Sequence, residues 1–292
     1  MQFLWQSGRM EQRKGGFAMN VIDAHLHLFP PDQRWAEERA RSVGHHNSAA
    51  HLKRVYGELG MVHGVIMGNG GLEPEWHQYP ADLFHYCVGL DSSLLKGGAK
   101  PIPDLADQVE LHLRRGSCCG VKLYPGYNRT PLSDRIYEPI YELAAFYDKP
   151  VAVHMGLTAH ARAYLKYCHP LGLDEVAVDH KRTRFVMCHF GNPFFESSAA
   201  VLSKNPNVSA DLSGLLEGLV DLDRYVQEQE GYLFLLKTWM TAACSWEKLM
   251  YGTDWPIVNL GEYFSFIQRI VPEPHWEKVF FENANRIYGL GL

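Results

Sequence analysis

The feature that most constrains this chain is a series of short apolar runs, each followed by a longer amphipathic or polar stretch. Eight can be marked: "NVIDAHLH" (20–27), "VHGVIMG" (62–68), "FHYCVGL" (84–90), "CGVKLYP" (119–125), "PVAVHMG" (150–156), "RFVMCHFG" (184–191), "NVSADLSG" (207–214) and "KLMYGTDWP" (248–256). Most are near-continuous in apolar residues, not strictly alternating, which is the pattern of strands buried on both faces. Helical periodicity lies between them. "SAAHLKRVYGELG" (48–60) ends in a glycine suited to a C-terminal cap. "DLADQVELHLRRG" (104–116) opens on an acid and closes on two arginines, as the helix dipole favours. "DRIYEPIYELAAFYD" (134–148), "YLFLLKTWMTAAC" (232–244) and "NANRIYGL" (283–290) also read as helices.

Strand starts run from residue 20 to residue 248, about one βα unit per 30-odd residues, the usual length of such a unit. The pattern predicts an α/β protein with a (β/α)8 TIM barrel, a fold of about 250 residues. An open doubly wound sheet would need a glycine-rich phosphate turn after an early strand. "GNGG" (68–71) lacks the required spacing and precedes no clear helix. Residues 20–292 are expected to form one barrel domain and residues 1–19 a peripheral extension, with Met19 a candidate original start. The longer segments 28–47, 157–183 and 215–231 all follow strands, so they are expected over the barrel mouth. Of these, 30–46 reads as a turn and a charged helix that would serve as a lid or a solvated surface helix.

The 292 residues are 46% hydrophobic, ample for a large core, and carry a net charge of −5. No basic block exists for nucleic acid. No polybasic amphipathic segment marks a membrane surface, and no apolar run approaches the roughly 18–20 residues of a spanning helix. The first residues lack the order of charge, apolar stretch and small-residue site found in a signal peptide. Six cysteines with no C-x-x-C pair read as reduced, mostly buried thiols of a cytoplasmic protein.

Chemistry-bearing residues collect at the C-terminal ends of the runs. His25 and His27 end the first, Lys122 the fourth, His154 the fifth, His189 the sixth, Asp211 the seventh and Asp254 the eighth. In a parallel barrel these ends share one mouth, and side chains two apart on a strand share a face. His25 and His27 thus form a two-tooth chelate. Imidazole and carboxylate suit Zn²⁺, with other first-row divalent ions as alternatives. Such a metal lowers the pKa of a bound water to about 7 and polarises a carbonyl. Asp254 would take the water's proton and pass it to the leaving group. The other histidines fall early in strands, as His63 and His85 do, or on helices and loops.

The motifs "DAHLHLF", "GVKLYP", "VAVHMG", "FVMCHFG" and "YGTDWP" resemble those of the amidohydrolase superfamily. The spacing and the "GTDWP" ending are most similar to its amidohydrolase-related (amidohydrolase 2) branch. That branch includes aminocarboxymuconate semialdehyde decarboxylase, resorcylate-type decarboxylases and lactone hydrolases. The resemblance spans residue 20 to the C-terminus and specifies no substrate. It implies a divalent metal at the mouth of a distorted barrel, held by His25, His27, His154 and Asp254 in mononuclear members. His189 would then orient water or substrate, or act as an acid–base group. In binuclear members a carbamylated lysine bridges two ions and His154 and His189 hold the second, so Lys122 and His189 become ligands. One ion per chain, Zn²⁺ before Mn²⁺, with an unmodified lysine, is the expectation here. The resemblance also leans towards a homodimer.

For the substrate, the loop "YPGYNRTP" (124–131) offers Tyr124, Tyr127, Asn128 and Arg129. Arg129 would clamp a carboxylate, Lys122 would bind one, and Trp255 would wall the pocket. Asp211 would hold a substrate hydroxyl or pair with Lys122. The leading reading is a hydrolase of an amide, ester or lactone bond in a small molecule. The alternative is a nonoxidative decarboxylase or hydratase of an unsaturated or aromatic acid, which calls for arginines converging on the metal. A barrel that binds without turnover is the third.

Overall fold

The computed structural model describes residues 19–69, 71–90, 104–243 and 246–292. Apart from Met19, the N-terminal extension lies outside them, as does Cys244. Eight strands form one sheet in the order β1 to β8, every ladder parallel. They are β1 (Val21–Leu26), β2 (Met61–Met67), β3 (Phe84–Leu90), β4 (Cys118–Leu123), β5 (Val151–Val153), β6 (Phe185–Met187), β7 (Val208–Asp211) and β8 (Leu249–Met250). Each falls within one residue of a predicted run at its start.

The helices are α1 (Arg34–Ser42), α2 (Ala49–Leu59), α3 (Leu105–Leu113), α4 (Pro125–Asn128), α5 (Glu138–Phe146), α6 (Pro170–Asp179), α7 (Phe195–Lys204), α8 (Leu222–Glu228), α9 (Glu230–Ala243), α10 (Leu260–Ile270) and α11 (Asn283–Tyr288). Gly60 does cap α2, with φ at 72°. Helices α4, α6, α7, α8 and α10 fall outside the helical stretches that the sequence predicts. Helix α6 corrects the expectation for 157–183: His169 caps Leu171 N and Pro170 takes the first helical position, so only the part before it reaches the mouth.

Strand shortening is where the barrel departs from regularity. β5, β6 and β8 end two or more residues before the predicted runs do, and those left-over residues include His154, His189 and Asp254. The barrel closes through irregular backbone. Tyr251 O and Trp255 O accept from Ala24 N and His27 N, while His25 O accepts from Thr253 N and Asp254 N, all at 2.8–3.0 Å. The interior is filled by Ile22, Ala24, Val65, Met67, Cys87, Cys119, Ala152, Val186, Cys188 and Met250, and α11 covers its lower end with Ile287 and Tyr288. A larger apolar layer lies between sheet and helices. The five described cysteines are buried and unpaired with one another. No helix among the described residues is long and apolar enough to cross a membrane.

Candidate metal centre

The two histidines of the first strand do meet. A register irregularity between Asp23 and Leu26 accompanies the turn of His25 and His27 towards the mouth. Each has one ring nitrogen committed. His25 Nδ1 lies 2.8 Å from Asp211 Oδ2, and His27 Nδ1 lies 2.8 Å from Met67 O. A proton on each Nδ1 leaves both Nε2 lone pairs free. Those atoms converge on Asp254 Oδ1, at 3.3 Å from His25 and 3.2 Å from His27. The buried His25 Nε2 is not aligned with any hydrogen-bond partner. Two imidazole nitrogens and a carboxylate oxygen pointed at one spot call for a positive charge there, so the donor set fits a divalent cation.

The electrostatics agree. Burial raises the carboxyl pKa of Asp254, but the surrounding histidines outweigh it and hold Asp254 well below the usual carboxylate range. Burial likewise opposes charge on His25, and the Asp211 carboxylate overrides it, holding His25 well above an ordinary histidine. Burial depresses His27, pushes His154 well down, and brings His189 to about 4. Those three rings are neutral near pH 7, as ligands and hydrogen-bond acceptors must be, whereas His25 favours its protonated form, so binding a cation there would release the Nε2 proton.

Backbone and buried polar contacts fix this corner. Asp254 has φ at 61° and His189 also has φ at 61°, a left-handed conformation uncommon for residues other than glycine. A Cβ on Gly214, itself at φ 61°, would lie 3.0 Å from His189 Nδ1 and 3.2 Å from Asp254 Oδ2, so a side chain there would crowd both. Asp23 ties the two ends of the barrel seam together. It accepts from Tyr56 OH at 2.8 Å, Thr253 Oγ1 at 2.7 Å and Thr253 N at 2.9 Å. Burial pushes its carboxyl up to about 6 against those donors.

Other predicted residues sit differently. His154 does not join the His25, His27 and Asp254 cluster. Its Nε2 lies 2.9 Å from Leu157 O and its Nδ1 lies 3.0 Å from His189 Nε2. His189 continues this chain through its Nδ1 to Ser213 Oγ at 2.9 Å, and Asp211 Oδ1 accepts from His189 N. Lys122 is fully buried inside the barrel, its Nζ donating to Cys188 Sγ at 2.7 Å, and it does not line the mouth cavity. The expected Asp211 pairing with Lys122 is therefore replaced by the pairing with His25. Arg129 is turned outwards: its Nε donates to Arg162 O and its guanidinium lies 5.0 Å from the Tyr164 ring centre. Trp255 is fully buried and packs on His45, while Asp254, in its left-handed turn, takes the mouth side. Tyr124 does line the cavity, with its hydroxyl donating to Gly68 O.

The cavity, about 920 Å³, is lined by His27, His154, His189 and Asp254 at its base. The expected lid segment contributes Trp35, Glu38, Arg39 and Ser42 of α1, and Arg39 forms a 2.9 Å ion pair with Glu217 across the rim. Trp35, Asn69, Ser213 and Asn192 were not singled out from sequence. Asn69 and Ser213 do follow strand ends, within "GNGG" and "NVSADLSG", whereas Trp35 reaches the mouth from α1 and Asn192 from the loop after β6.

A family model described as amidohydrolase matches residues 22–290. No curated protein sequence matches the chain. Among solved structures, an uncharacterized TIM-barrel protein from Bordetella bronchiseptica is similar at 19% identity and a TM-score of 0.67, covering 93% of this chain and 99% of that one. A zinc-bound amidohydrolase from Burkholderia multivorans is similar at 17% identity and a TM-score of 0.67, covering 92% and 99%. A 2,6-dihydroxybenzoate decarboxylase from Rhizobium is similar at 14% identity and a TM-score of 0.63, covering 94% and 100%. At these identities the likenesses establish the barrel fold.

Proposed function

The chain belongs to the amidohydrolase family, a family of metal-dependent enzymes, and from that premise we propose that it is a hydrolase that cleaves an amide, ester or lactone bond in a small molecule. The observation that carries this reading is the convergence of His25 Nε2 and His27 Nε2 on Asp254 Oδ1, each within 3.3 Å of it, at the base of an open cavity. These three residues would hold one divalent ion, zinc before manganese, the zinc in the Burkholderia protein being consistent with that choice. Lys122 held against Cys188 supports one ion over a lysine-bridged pair. A bound ion of this kind supplies Lewis acidity that polarises a carbonyl and lowers the pKa of water.

The chain's own residues supply the rest. Asp254, ionised across the neutral range, accepts the proton of the attacking water and returns it to the departing oxygen or nitrogen. The His154 and His189 rings, locked through Leu157 O and Ser213, present a fixed wall that orients the carbonyl. The decarboxylase reading is weaker because it needs a cation for the substrate acid. Among the described residues, Arg39 is the sole lysine or arginine lining the cavity, and Glu217 already pairs it.

The test joins metal content by inductively coupled plasma mass spectrometry with a panel of uncharged esters, lactones and amides assayed beside aromatic acids for CO2 release. One ion per chain, lost in His25→Ala/His27→Ala together with hydrolysis, is expected. CO2 release without hydrolysis would replace the hydrolase by the lyase, and no metal uptake would remove both.

A further inference from the structure

Resting on the hydrolase reading, we propose that the mouth selects substrates carrying a flat, uncharged ring beside the scissile bond, and that Trp35 recognises this ring. Trp35 lines the cavity from α1 and is 53% exposed, so its ring face is open to a ligand in the mouth. Its one polar atom is already satisfied, since Nε1 donates to Gln33 Oε1 at 2.9 Å. What remains for recognition is the ring surface. Trp35 meets Phe29 edge to face with centroids 4.4 Å apart, and Phe29 stacks on the metal-site His27 at 5.9 Å and 24°. A line of three rings therefore leads from the reacting end of the site to its rim. Offset stacking and edge contacts of this kind favour planar groups.

The line is held firmly enough to discriminate. Asn47 Nδ2 donates to Phe29 O at 2.9 Å, while Asn47 Oδ1 accepts from Phe29 N. Glu37 accepts from Asn47 N, tying that clasp to α1. The Arg39 to Glu217 pair anchors the same helix to the loop after β7. Charge works against an anionic ring. Glu38 and Glu217 both line the cavity, Arg39 is engaged, and Lys122 and Arg129 face elsewhere. A ring bearing a carboxylate would lose its hydration and meet the negative charge of Glu38 beside the neutralised Arg39–Glu217 pair.

Three hydroxamates with the same metal-binding head test this by isothermal titration on the zinc-loaded full-length chain: benzohydroxamate, cyclohexanecarbohydroxamate and 4-carboxybenzohydroxamate. Benzohydroxamate is expected to bind at least tenfold more tightly than either of the others. In Trp35→Ala its advantage over the cyclohexane compound should shrink to threefold or less, and Trp35→Phe should keep most of it. Equal or tighter binding of 4-carboxybenzohydroxamate, or an unchanged ratio in Trp35→Ala, would overturn the proposal while leaving the hydrolase reading intact. If none of the three binds, the metal-centre reading fails, and this inference with it.

Discussion

Two sides of the same barrel mouth treat their polar side chains differently. On the side of β1, β7 and β8, the side chains of His25, His27, Asp211 and Asp254 converge, and their nitrogens and oxygens become a set of lone-pair donors once His25 gives up its Nε2 proton. On the side of β4 and β5, Lys122, Tyr124 and His154 are each tied to a neighbour: Cys188, Gly68 O and Leu157 O. The first arrangement leaves an electrostatic demand for a cation. The second is closed upon itself and behaves as wall. The seam explains the contrast. Between β1 and β8, irregular backbone, held by Asp23 and by Asp254 in a left-handed turn, replaces the regular ladder. Side chains are thereby turned to one point that ordinary strand geometry would spread apart.

The comparison can be broken most sharply at Asp254. Asp254→Asn removes the ligand's negative charge and the proton acceptor, so kcat should fall by about 10²–10⁴; a loss below tenfold would move the acid–base role elsewhere. Asp211→Asn comes next. It leaves His25 in place but removes the carboxylate that orients it, and metal affinity should weaken by about 10–100-fold. Competition with a chelating dye reads this directly, and unchanged affinity would mean that the Asp211 contact is packing alone. The closed side should respond far less. Lys122→Met is expected to leave metal content at one ion per chain, because its ammonium contacts Cys188 and not the converging atoms. Loss of metal in that variant would make Lys122 a ligand-side residue and the two sides equivalent.

The smallest effect belongs to the cap beside the mouth. His45 is brought to about 4, by burial first and then by nearby cationic groups, and its Nε2 accepts from Leu260 N. Its folded pKa lies below its unfolded value of about 6.5. The stability gained from keeping it neutral is therefore present above pH 6.5 and is lost progressively as pH falls towards 4. Urea unfolding across that window should show a shallower pH slope in His45→Gln than in wild type. An identical slope would assign the acid sensitivity to other buried histidines.

Much of this was legible before folding. The apolar runs located all eight strands because burial on both faces leaves a strong local signature. His25, His27 and Asp254 were legible for a related reason: a parallel barrel brings strand ends together, so a residue's place at the end of its run foretells its place in space. Helix α6 carries little apolar periodicity, but α10, with Leu260, Tyr263, Phe266, Ile267 and Ile270 on one buried face, has spacing as clear as that of the predicted helices, so it was legible in the sequence. Lys122 and Trp255 occupied the right sequence positions, but which way a side chain points at the end of a short strand is a matter of one residue's register. Arg129, on a loop, carried no directional information at all.

The sequence alone thus determined the barrel, its family and the histidine pair with its distant aspartate, since each depends on local pattern or on an order that topology preserves. The tertiary structure decided that Asp211 serves His25 and not Lys122, that His154 pairs with His189 beside the converging atoms, and that Trp35 reaches the mouth from α1. These contacts join residues far apart in the chain through a backbone seam and a cap. Their geometry depends on dihedral angles and packing distances that residue identity and spacing do not fix.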